Sequence, residues 1–194
     1  MTQQPCSPAA ILADLMAGRR SVRAYDPTPI DSDTVRELLA AAVQAPSAMN
    51  GQPWGFSIVQ DRARLRRYSD RAKALLLGAL DPKSTRYAEL LANPEFNIFY
   101  DAGTLVAISV DAPGSYAEAD CWLAAQNLNL AAHARGLGTC CIGFAVGVLN
   151  LPEIKQELGV ASGGRVIAPI IVGEPRGTTP IVPRRPPRVL AWLG

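Results

Sequence analysis

The stretch YAEADCWLAAQNLNLAAHARGLGTCCIGF, residues 116–144, decides the centre of the fold. Its first part, residues 116–135, is rich in Ala and Leu on nearly every face, which predicts a long helix buried inside the protein. Gly136 and Gly138 end this helix, as glycines commonly do at helix C-termini. Residues 136–144 then predict a tight turn between packed elements, or a place where backbone approaches a flat ligand closely.

Helix and strand signals alternate on both sides of this stretch, and the sequence contains no internal repeat. Apolar residues at helical spacing predict amphipathic helices, and short apolar runs rich in Val and Ile predict buried strands. The predicted helices are residues 8–18, 32–45, 62–73 and 150–158, and the predicted strands are residues 54–60, 103–110 and 165–173.

The composition indicates a folded protein without a strong overall charge. Its 194 residues are 48% hydrophobic and 19% charged, which excludes intrinsic disorder. A chain of this length buries ~70% of its unfolded surface, as one large domain or two tightly merged halves. The 19 basic and 17 acidic side chains give a net charge of +2, so the overall field favours neither nucleic acid nor an acidic membrane.

The sequence contains no clear targeting or metal-binding signal. Residues 1–8 have neither a basic start nor an apolar run, and residues 38–60, the longest charge-free stretch, hold prolines and amides that exclude a membrane span. The four cysteines form no CxxC pair, and His133 is the sole histidine, so we expect no metal site. We expect a cytoplasmic protein in which Cys140 and Cys141 are buried small hydrophobic residues rather than a redox pair.

A basic cluster, RRSVR at residues 19–23, follows the first predicted helix. Guanidinium groups donate paired hydrogen bonds to phosphate oxygens, and a serine hydroxyl adds another donor. If the segment is extended, Ser21 and Arg23 project to the same side because side chains alternate. The cluster therefore predicts a clamp for a terminal phosphate; a solvated basic turn or a basic kinase site is the alternative.

The loop APSAMNGQPWG, residues 45–55, is the second candidate segment. Its prolines and glycines predict a non-helical loop that leaves backbone groups free. Asn50 and Gln52 each carry a donor and an acceptor, which suits the uracil-like edge of a heterocycle. Trp54 is suited to line an aromatic pocket. The alternative is a loop with a purely structural role, in which Trp54 packs in the core.

Together these segments resemble the FMN-dependent nitroreductase family, from residue 11 to the C-terminus. RRSVRAYDPTPI is similar to the family's opening RRSxRx[FY] stretch, and APSAMNGQPW is similar to its PSxxNxQPW loop. QNLNLAAHARGLGTCCIGF resembles the central helix and the turn that follows it. LPEIKQELGV, APIIVGEP and PRRP complete the match. The adjacent Cys140 and Cys141 stand where relatives often have Cys followed by Trp.

The resemblance implies an α+β fold in which helices flank a mixed, mainly antiparallel sheet. It also implies an intertwined homodimer with FMN at the subunit interface. Residues 1–194 then form a single FMN-binding domain. Within it, residues 79–97 would be a mobile cover that determines substrate choice, and residues 174–194 a C-terminal arm that packs on the partner subunit.

The resemblance also assigns the cofactor-binding positions. The opening cluster and the basic pair of the tail match positions at the phosphate and ribityl chain. The proline loop matches the part that the other subunit supplies, and the turn after the long helix matches positions beside the isoalloxazine. The residues are Arg19, Arg20, Ser21, Arg23, Pro46, Ser47, Ala48, Asn50, Gln52, Cys141, Ile142, Gly143, Arg184 and Arg185.

The implied activity is an oxidoreductase that passes hydride from NADH or NADPH, through FMN, to an electron-poor small molecule such as a nitroaromatic or a quinone. No catalytic side chain or metal is required, because the flavin carries the chemistry. Alternatives are another flavin reaction (dehalogenation, enone reduction or flavin breakdown) and a non-enzymatic FMN binder. A further alternative is an interaction module in which the basic helix at residues 62–73 binds RNA or a partner. A solvated helix face explains these basic residues more simply.

Overall fold

A four-stranded sheet lies at the centre of the computed structural model, which describes residues 7–79, 85–112 and 114–194. In chain order the strands are β1 (Trp54–Val59), β2 (Thr104–Val110), β3 (Gly138–Cys141) and β4 (Arg165–Gly173). They lie in the order β1-β2-β4-β3, and each adjacent pair is antiparallel. The expected α+β fold with a mainly antiparallel sheet is confirmed.

Helices cover both faces of this sheet. The helices that the structure describes are α1 (Pro8–Gly18), α2 (Ser32–Ala42), α3 (Arg62–Ala79), α4 (Thr85–Ala92), α5 (Ala117–Ala134), α6 (Val146–Leu149) and α7 (Pro152–Glu157). Ser7 and Asp31 start α1 and α2 as side-chain caps, which satisfy backbone N–H groups that the first turn leaves free. None of the helices in the described ranges is long and apolar enough to cross a lipid bilayer.

The sheet separates two hydrophobic layers. One layer contains Leu38 of α2 and Leu128 of α5, and the other contains Tyr68 of α3 and Leu149 of α6. Every residue of β2 is buried because both of its faces are covered. This two-sided burial explains why the central strands are continuous apolar runs rather than alternating ones.

The long helix α5 packs on the sheet and on α2, as the sequence predicted. Its burial is incomplete, because Trp122 and Leu123 are each 45% exposed on the side that faces away. An all-round apolar helix with one open side indicates a surface that another body covers.

Residues 136–144 differ from the prediction of a tight turn. Four of them form β3, whose register with β4 runs from Gly138 opposite Gly173 to Cys141 opposite Ile170. A four-residue strand that begins with glycine carries a weak local signal. Pairing with the longer β4 stabilises it, and that pairing is a tertiary contact.

The segment predicted as an aperiodic cover, residues 79–97, lies partly outside the described residues, at 80–84. Most of its described part forms the two-turn helix α4. Its mobility stays a prediction.

Both ends of the chain leave apolar side chains uncovered. Ile11, Leu12 and Met16 of α1 are 49%, 49% and 56% exposed, and every residue from 180 to 194 is exposed. Trp192 is 89% exposed. The arm therefore does not pack on its own subunit beyond residue 180, and its packing on a partner stays a prediction.

Candidate functional site

The basic cluster at residues 19–23 lies against the edge strand β3. Ser21 and Thr139 form a parallel bridge, and the Val22 amide donates to the Thr139 carbonyl at 3.0 Å. The approach is close because Gly138 has no side chain: a β-carbon there would lie 2.8 Å from the Val22 side chain. A glycine at position 138 is thus what allows the cluster to meet the sheet.

Some side chains of this segment are buried in the core, and others are accessible to a ligand. Val22 and Tyr25 point into the core, at 8% and 3% exposure. The Tyr25 hydroxyl donates to the Val22 carbonyl at 2.8 Å. Burial raises the pKa of Tyr25 far above its ordinary value, so this donor keeps its proton. Ser21 is half-buried and Arg23 is exposed, so both are available to a ligand.

Two cavities follow one another along β3. Cavity A, about 160 Å³, lies at the end of the strand and is lined by Cys140, Cys141 and the residues Arg23, Ile98, Tyr100, Ile142, Gly143 and Phe144. Cavity B, about 230 Å³, lies at its start, and its lining includes Arg19, Arg20, His133, Gly138 and Thr139. At ~3.3 Å per residue, Gly138 beside cavity B and Cys141 beside cavity A are about 10 Å apart along β3.

The two cavities differ in chemistry. Cavity B has two guanidinium groups and a strand backbone, which suits a phosphate. Cavity A has an apolar lining with the exposed Cys141 and the small Gly143 at its wall, which suits a flat ring. The arrangement fits one elongated ligand with an anionic end and an aromatic end.

Two buried polar atoms support this reading. Within the described residues, Arg20 Nε and Asn129 Oδ1 are the buried side-chain nitrogen and oxygen atoms that lack a hydrogen-bond partner. Arg20 lines cavity B, and the Asn129 amide nitrogen lies 3.9 Å from the Cys141 sulfur in the wall of cavity A. Each unsatisfied group costs about 1–3 kcal/mol. Arg20 thus lines cavity B itself, whereas Asn129 lies behind the wall of cavity A, against Cys141.

The two cysteines have different environments. Cys140 is buried, and burial raises the pKa of its thiol above the ordinary value. The small-hydrophobe interpretation therefore holds for Cys140. It is wrong for Cys141, which is exposed in the wall of cavity A. Local alternation along β3 explains this difference, because adjacent strand residues face opposite sides.

Helix α4 contributes to the surroundings of cavity A. The Tyr87 ring meets the Phe144 ring edge-on, with centroids 5.8 Å apart. Tyr87 is 51% exposed, so this contact lies at the rim rather than in the core. The position of α4 agrees with the expected role of this region as a cover.

The proline loop lies at the other end of α5. The Ala48 amide donates to both oxygens of Asp120, in the first turn of α5, at 3.3 Å each. His133, near the last turn of the same helix, lines cavity B. At ~1.5 Å per residue these two positions are about 20 Å apart. The predicted site residues Pro46, Ser47, Ala48, Asn50 and Gln52 are therefore not brought to the cavities of their own subunit.

The loop is nevertheless held in one shape. Met49, Asn50 and Gln52 have φ values of 55°, 55° and 43°, in the left-handed region that side chains other than glycine avoid. The Ser47 hydroxyl accepts from the Gln52 amide at 3.0 Å, and Met49 is fully exposed. Such strain persists where a loop is shaped for a contact.

The basic pair of the tail is also remote from the cavities. Arg184 and Arg185 are exposed, and within the described part of the chain neither forms an ion pair. The structure brings together Arg19, Arg20, Ser21, Arg23, Cys141, Ile142 and Gly143 from the predicted set.

Sequence reasoning missed several residues of this region. Ile98, Tyr100 and Phe144 line cavity A without a motif of their own. Asn129 could have been identified from the sequence, because a polar residue on the apolar face of a buried helix requires a hydrogen-bond partner. The Asn97 amide, in the neighbouring region of the chain, donates to Asp101 at 2.9 Å.

Comparison with known proteins agrees with the fold. The family model described as Nitroreductase family matches residues 16–174. A 5,6-dimethylbenzimidazole synthase of Rhodospirillum rubrum is 33% identical over 185 residues, covering 86% of this chain and 83% of that protein. An iodotyrosine deiodinase of Thermotoga neapolitana is 26% identical over 181 residues, covering 90% of this chain and 94% of that protein.

Among solved structures, a nitroreductase with bound FMN from Bacteroides fragilis is similar, with a TM-score of 0.79 and 27% sequence identity. The match covers 94% of this chain and 97% of that chain. This chain belongs to the nitroreductase family.

Proposed function

We propose that this protein is an FMN-dependent oxidoreductase that passes hydride from NADH or NADPH to an electron-poor small molecule, such as a nitroaromatic or a quinone. The observation that carries the proposal is the pair of cavities along β3, one lined by two arginines and one mainly apolar. The FMN-bound relative with a TM-score of 0.79 supports the choice of cofactor.

Cavity B is the part of the site that fits the FMN phosphate. Arg19 and Arg20 are adjacent cations, and a phosphate with a charge near −2 offsets their repulsion. Arg20 lines this cavity, and its buried Nε has no hydrogen-bond partner in the described residues; the Ser21 hydroxyl would contact the ribityl chain. Arg184 or Arg185 would complete the phosphate site if the arm crosses to the partner subunit.

Cavity A is the part that fits the isoalloxazine. Arg23, Cys141, Ile142 and Gly143 would hold the ring. Bound FMN would supply reversible two-electron chemistry at its N5 position. Neither a carboxylate nor a histidine lines cavity A, so the chain provides position and water exclusion there rather than acid or base catalysis.

The small size of cavity A supports a ping-pong order. Its volume of about 160 Å³ is well below the ~300–1,000 Å³ of a typical ligand pocket. The donor and the acceptor would therefore occupy the same open side in turn, and a second subunit would supply the remaining wall.

A homodimer with the cofactor at the interface explains the remote loop. Its position about 20 Å from cavity B prevents it from completing the site in its own subunit. The exposed apolar side chains of α1, Trp122 of α5 and the arm provide a surface for a second copy. We infer that residues 46–52 contact the flavin bound by the partner.

A second candidate is a different flavin reaction in the same fold. The relatives that are 33% and 26% identical are named as a synthase and a deiodinase, so the fold hosts several chemistries. Dehalogenation, enone reduction and flavin breakdown would each use the same cofactor residues.

The visible absorption spectrum of the purified protein tests the proposal, followed by anaerobic titration with NADH and then NADPH. A flavin spectrum that bleaches with a donor and returns with a nitroaromatic or quinone supports the reductase function. A flavin that both donors bleach but these acceptors do not reoxidise favours the second candidate. Bound FMN that neither donor bleaches contradicts NAD(P)H dependence, and failure to retain added FMN contradicts the site assignment.

A further inference from the structure

A third cavity, cavity C, lies beside cavity A. It has a volume of about 530 Å³, and its lining includes Arg23, Arg62, Arg176, Glu95, Asn97 and Asp101. Arg23 and Tyr100 line both cavities, so cavity C adjoins the proposed flavin position. The volume lies within the ~300–1,000 Å³ of typical ligand pockets.

Three arginines converge on cavity C from separate elements. Arg23 comes from the segment beside β3, Arg62 begins α3, and Arg176 follows β4. Over the described ranges, no carboxylate lies within 4.0 Å of any of the three. Converging cations without counter-ions repel one another, and an anion in the cavity would remove that cost.

Three of the other four arginines of α3 are paired. Arg67 forms an ion pair with Glu157, and Arg71 with Glu153 at 2.8 Å. Among the residues that the structure describes, Arg62 and Arg64 are the two arginines of this helix without an ion pair, and of these Arg62 lines cavity C. The pairing also weakens the alternative in which residues 62–73 form a basic face for RNA, because paired arginines are less available to phosphates.

The carboxylates of cavity C do not cancel its arginines. Glu95 and Asp101 line the cavity, and together with the three arginines they leave its lining with a net charge of +1. Asp101 accepts a hydrogen bond from the Asn97 amide at 2.9 Å, which directs that carboxylate toward a neutral partner. The guanidinium groups of such a lining can each donate two hydrogen bonds to one anion.

The wall between cavities A and C is strained. Tyr100 and Asp101 are consecutive left-handed residues with φ values of 52° and 57°. The Arg23 guanidinium lies 5.9 Å from the centroid of the Tyr100 ring. Residues held in this region of φ are strained and concentrate at ligand clamps.

We propose that cavity C binds an anionic group, a phosphate or a carboxylate, of the molecule that exchanges electrons at cavity A. Arg62 and Arg176 supply the new contacts, and Arg23 is shared with the flavin site. This inference rests on the proposed function, since it assigns a specificity-determining role to residues beside that site. The anion belongs either to the donor, as the 2′-phosphate of NADPH, or to a carboxylated acceptor.

The test uses the oxidised holoprotein and two pairs of probes. Adenosine 2′-phosphate is compared with adenosine, and benzoate with benzamide, by titration calorimetry. The variants are Arg62→Gln and Arg176→Gln, with Arg36→Gln as the control. All three arginines are exposed, and Arg36 is paired with Asp33 on α2, so each variant removes one charge without opening the core.

We expect one anionic probe to bind more tightly than its neutral counterpart, and both cavity variants to weaken that binding about tenfold. The control should leave it unchanged. If the phosphate probe responds, the KM for NADPH should rise about tenfold in the variants while the KM for NADH stays constant. If the benzoate probe responds, the KM for 4-nitrobenzoate should rise while both nucleotides are unaffected.

Anionic probes that bind no better than the neutral ones overturn the inference. Equal effects of the cavity variants and Arg36→Gln also overturn it, because they would report net charge alone. The wild type is examined in parallel for FMN retention and for bleaching by NADH. A wild type that does not retain FMN, or that NADH does not bleach, contradicts the proposed function. A wild type that bleaches normally, with cavity variants that bind the anionic probes as tightly as the wild type does, contradicts only the role of cavity C.

Discussion

The contact between Gly138 and Val22 predicts the outcome of one substitution in detail. In Gly138→Ala, the new methyl group would lie 2.8 Å from the Val22 side chain, closer than carbon atoms approach without displacement. Overpacking of this kind costs about 1–3 kcal/mol. Replacing glycine in a strand also recovers about 0.5–1 kcal/mol of unfolded-state entropy. Three atoms of Val22 lie within 3 Å of the new methyl group, which places the overpacking cost at about 2–3 kcal/mol. Subtracting about 1 kcal/mol for the entropy leaves a net loss in the free energy of unfolding of about 1–2 kcal/mol.

That loss corresponds to a decrease in Tm of about 2–8 °C for a domain of this size. The clash acts between β3 and the basic cluster, so FMN affinity should fall as well. Thermal unfolding of the apoprotein and fluorescence titration with FMN measure the two effects separately.

Gly147→Ala is the matched control. No atom lies within 4 Å of the new methyl group, and position 147 is in the short helix α6, where alanine is favoured over glycine. Its Tm should rise slightly while FMN affinity stays constant. A Gly138→Ala protein that is as stable as this control, and binds FMN normally, would refute the argument that glycine allows the cluster to meet β3.

Three further predictions follow from the site and the core. Arg20→Gln should weaken FMN binding about tenfold or more, because it removes a charged donor from cavity B; an unchanged FMN Kd in fluorescence titration would exclude Arg20 from the site. Asp120→Ala removes the acceptor of the Ala48 amide and should weaken FMN binding several-fold by releasing the loop, while Asp33→Ala, at an exposed carboxylate of α2, should not. Burial and the hydrogen bond to Glu157 raise the pKa of Tyr68 from 10.0 to about 12, so the folded state holds this proton more tightly than the unfolded state. The resulting stabilisation is complete below pH 10 and is lost as the pH rises to 12; urea unfolding should show wild type losing its advantage over Tyr68→Phe in that window, and a constant advantage would contradict the assignment.

Local signals predicted most of the regular elements. Residues 165–173 form β4 as predicted, because a continuous run of Val and Ile between turn residues is favourable only where both faces are buried. The caps at Ser7 and Asp31 were also predictable, since the hydrogen bonds involve neighbours within the same turn. These features depend on contacts that are close in sequence.

The candidate site was predictable only in part. The cluster at residues 19–23 and the residues Cys141–Gly143 carry motifs, and the structure places them at adjoining cavities. The proline loop carries an equally clear motif, yet it lies at the opposite end of α5. A motif reports which chemistry a segment offers, whereas the subunit in which that chemistry is used depends on packing.

The sequence by itself determined the family, the core strands and the central helix of this protein, because periodicity and motif spacing are local properties. Tertiary structure decided that residues 138–141 form a strand, since the hydrogen bonds that hold it come from β4. It also decided which arginines are free. Arg71 reaches Glu153, 82 positions away in the sequence, while Arg62 of the same helix faces cavity C without a carboxylate within 4.0 Å in the described ranges. Charge pairing depends on distances in space, and those distances exist only once the chain has folded.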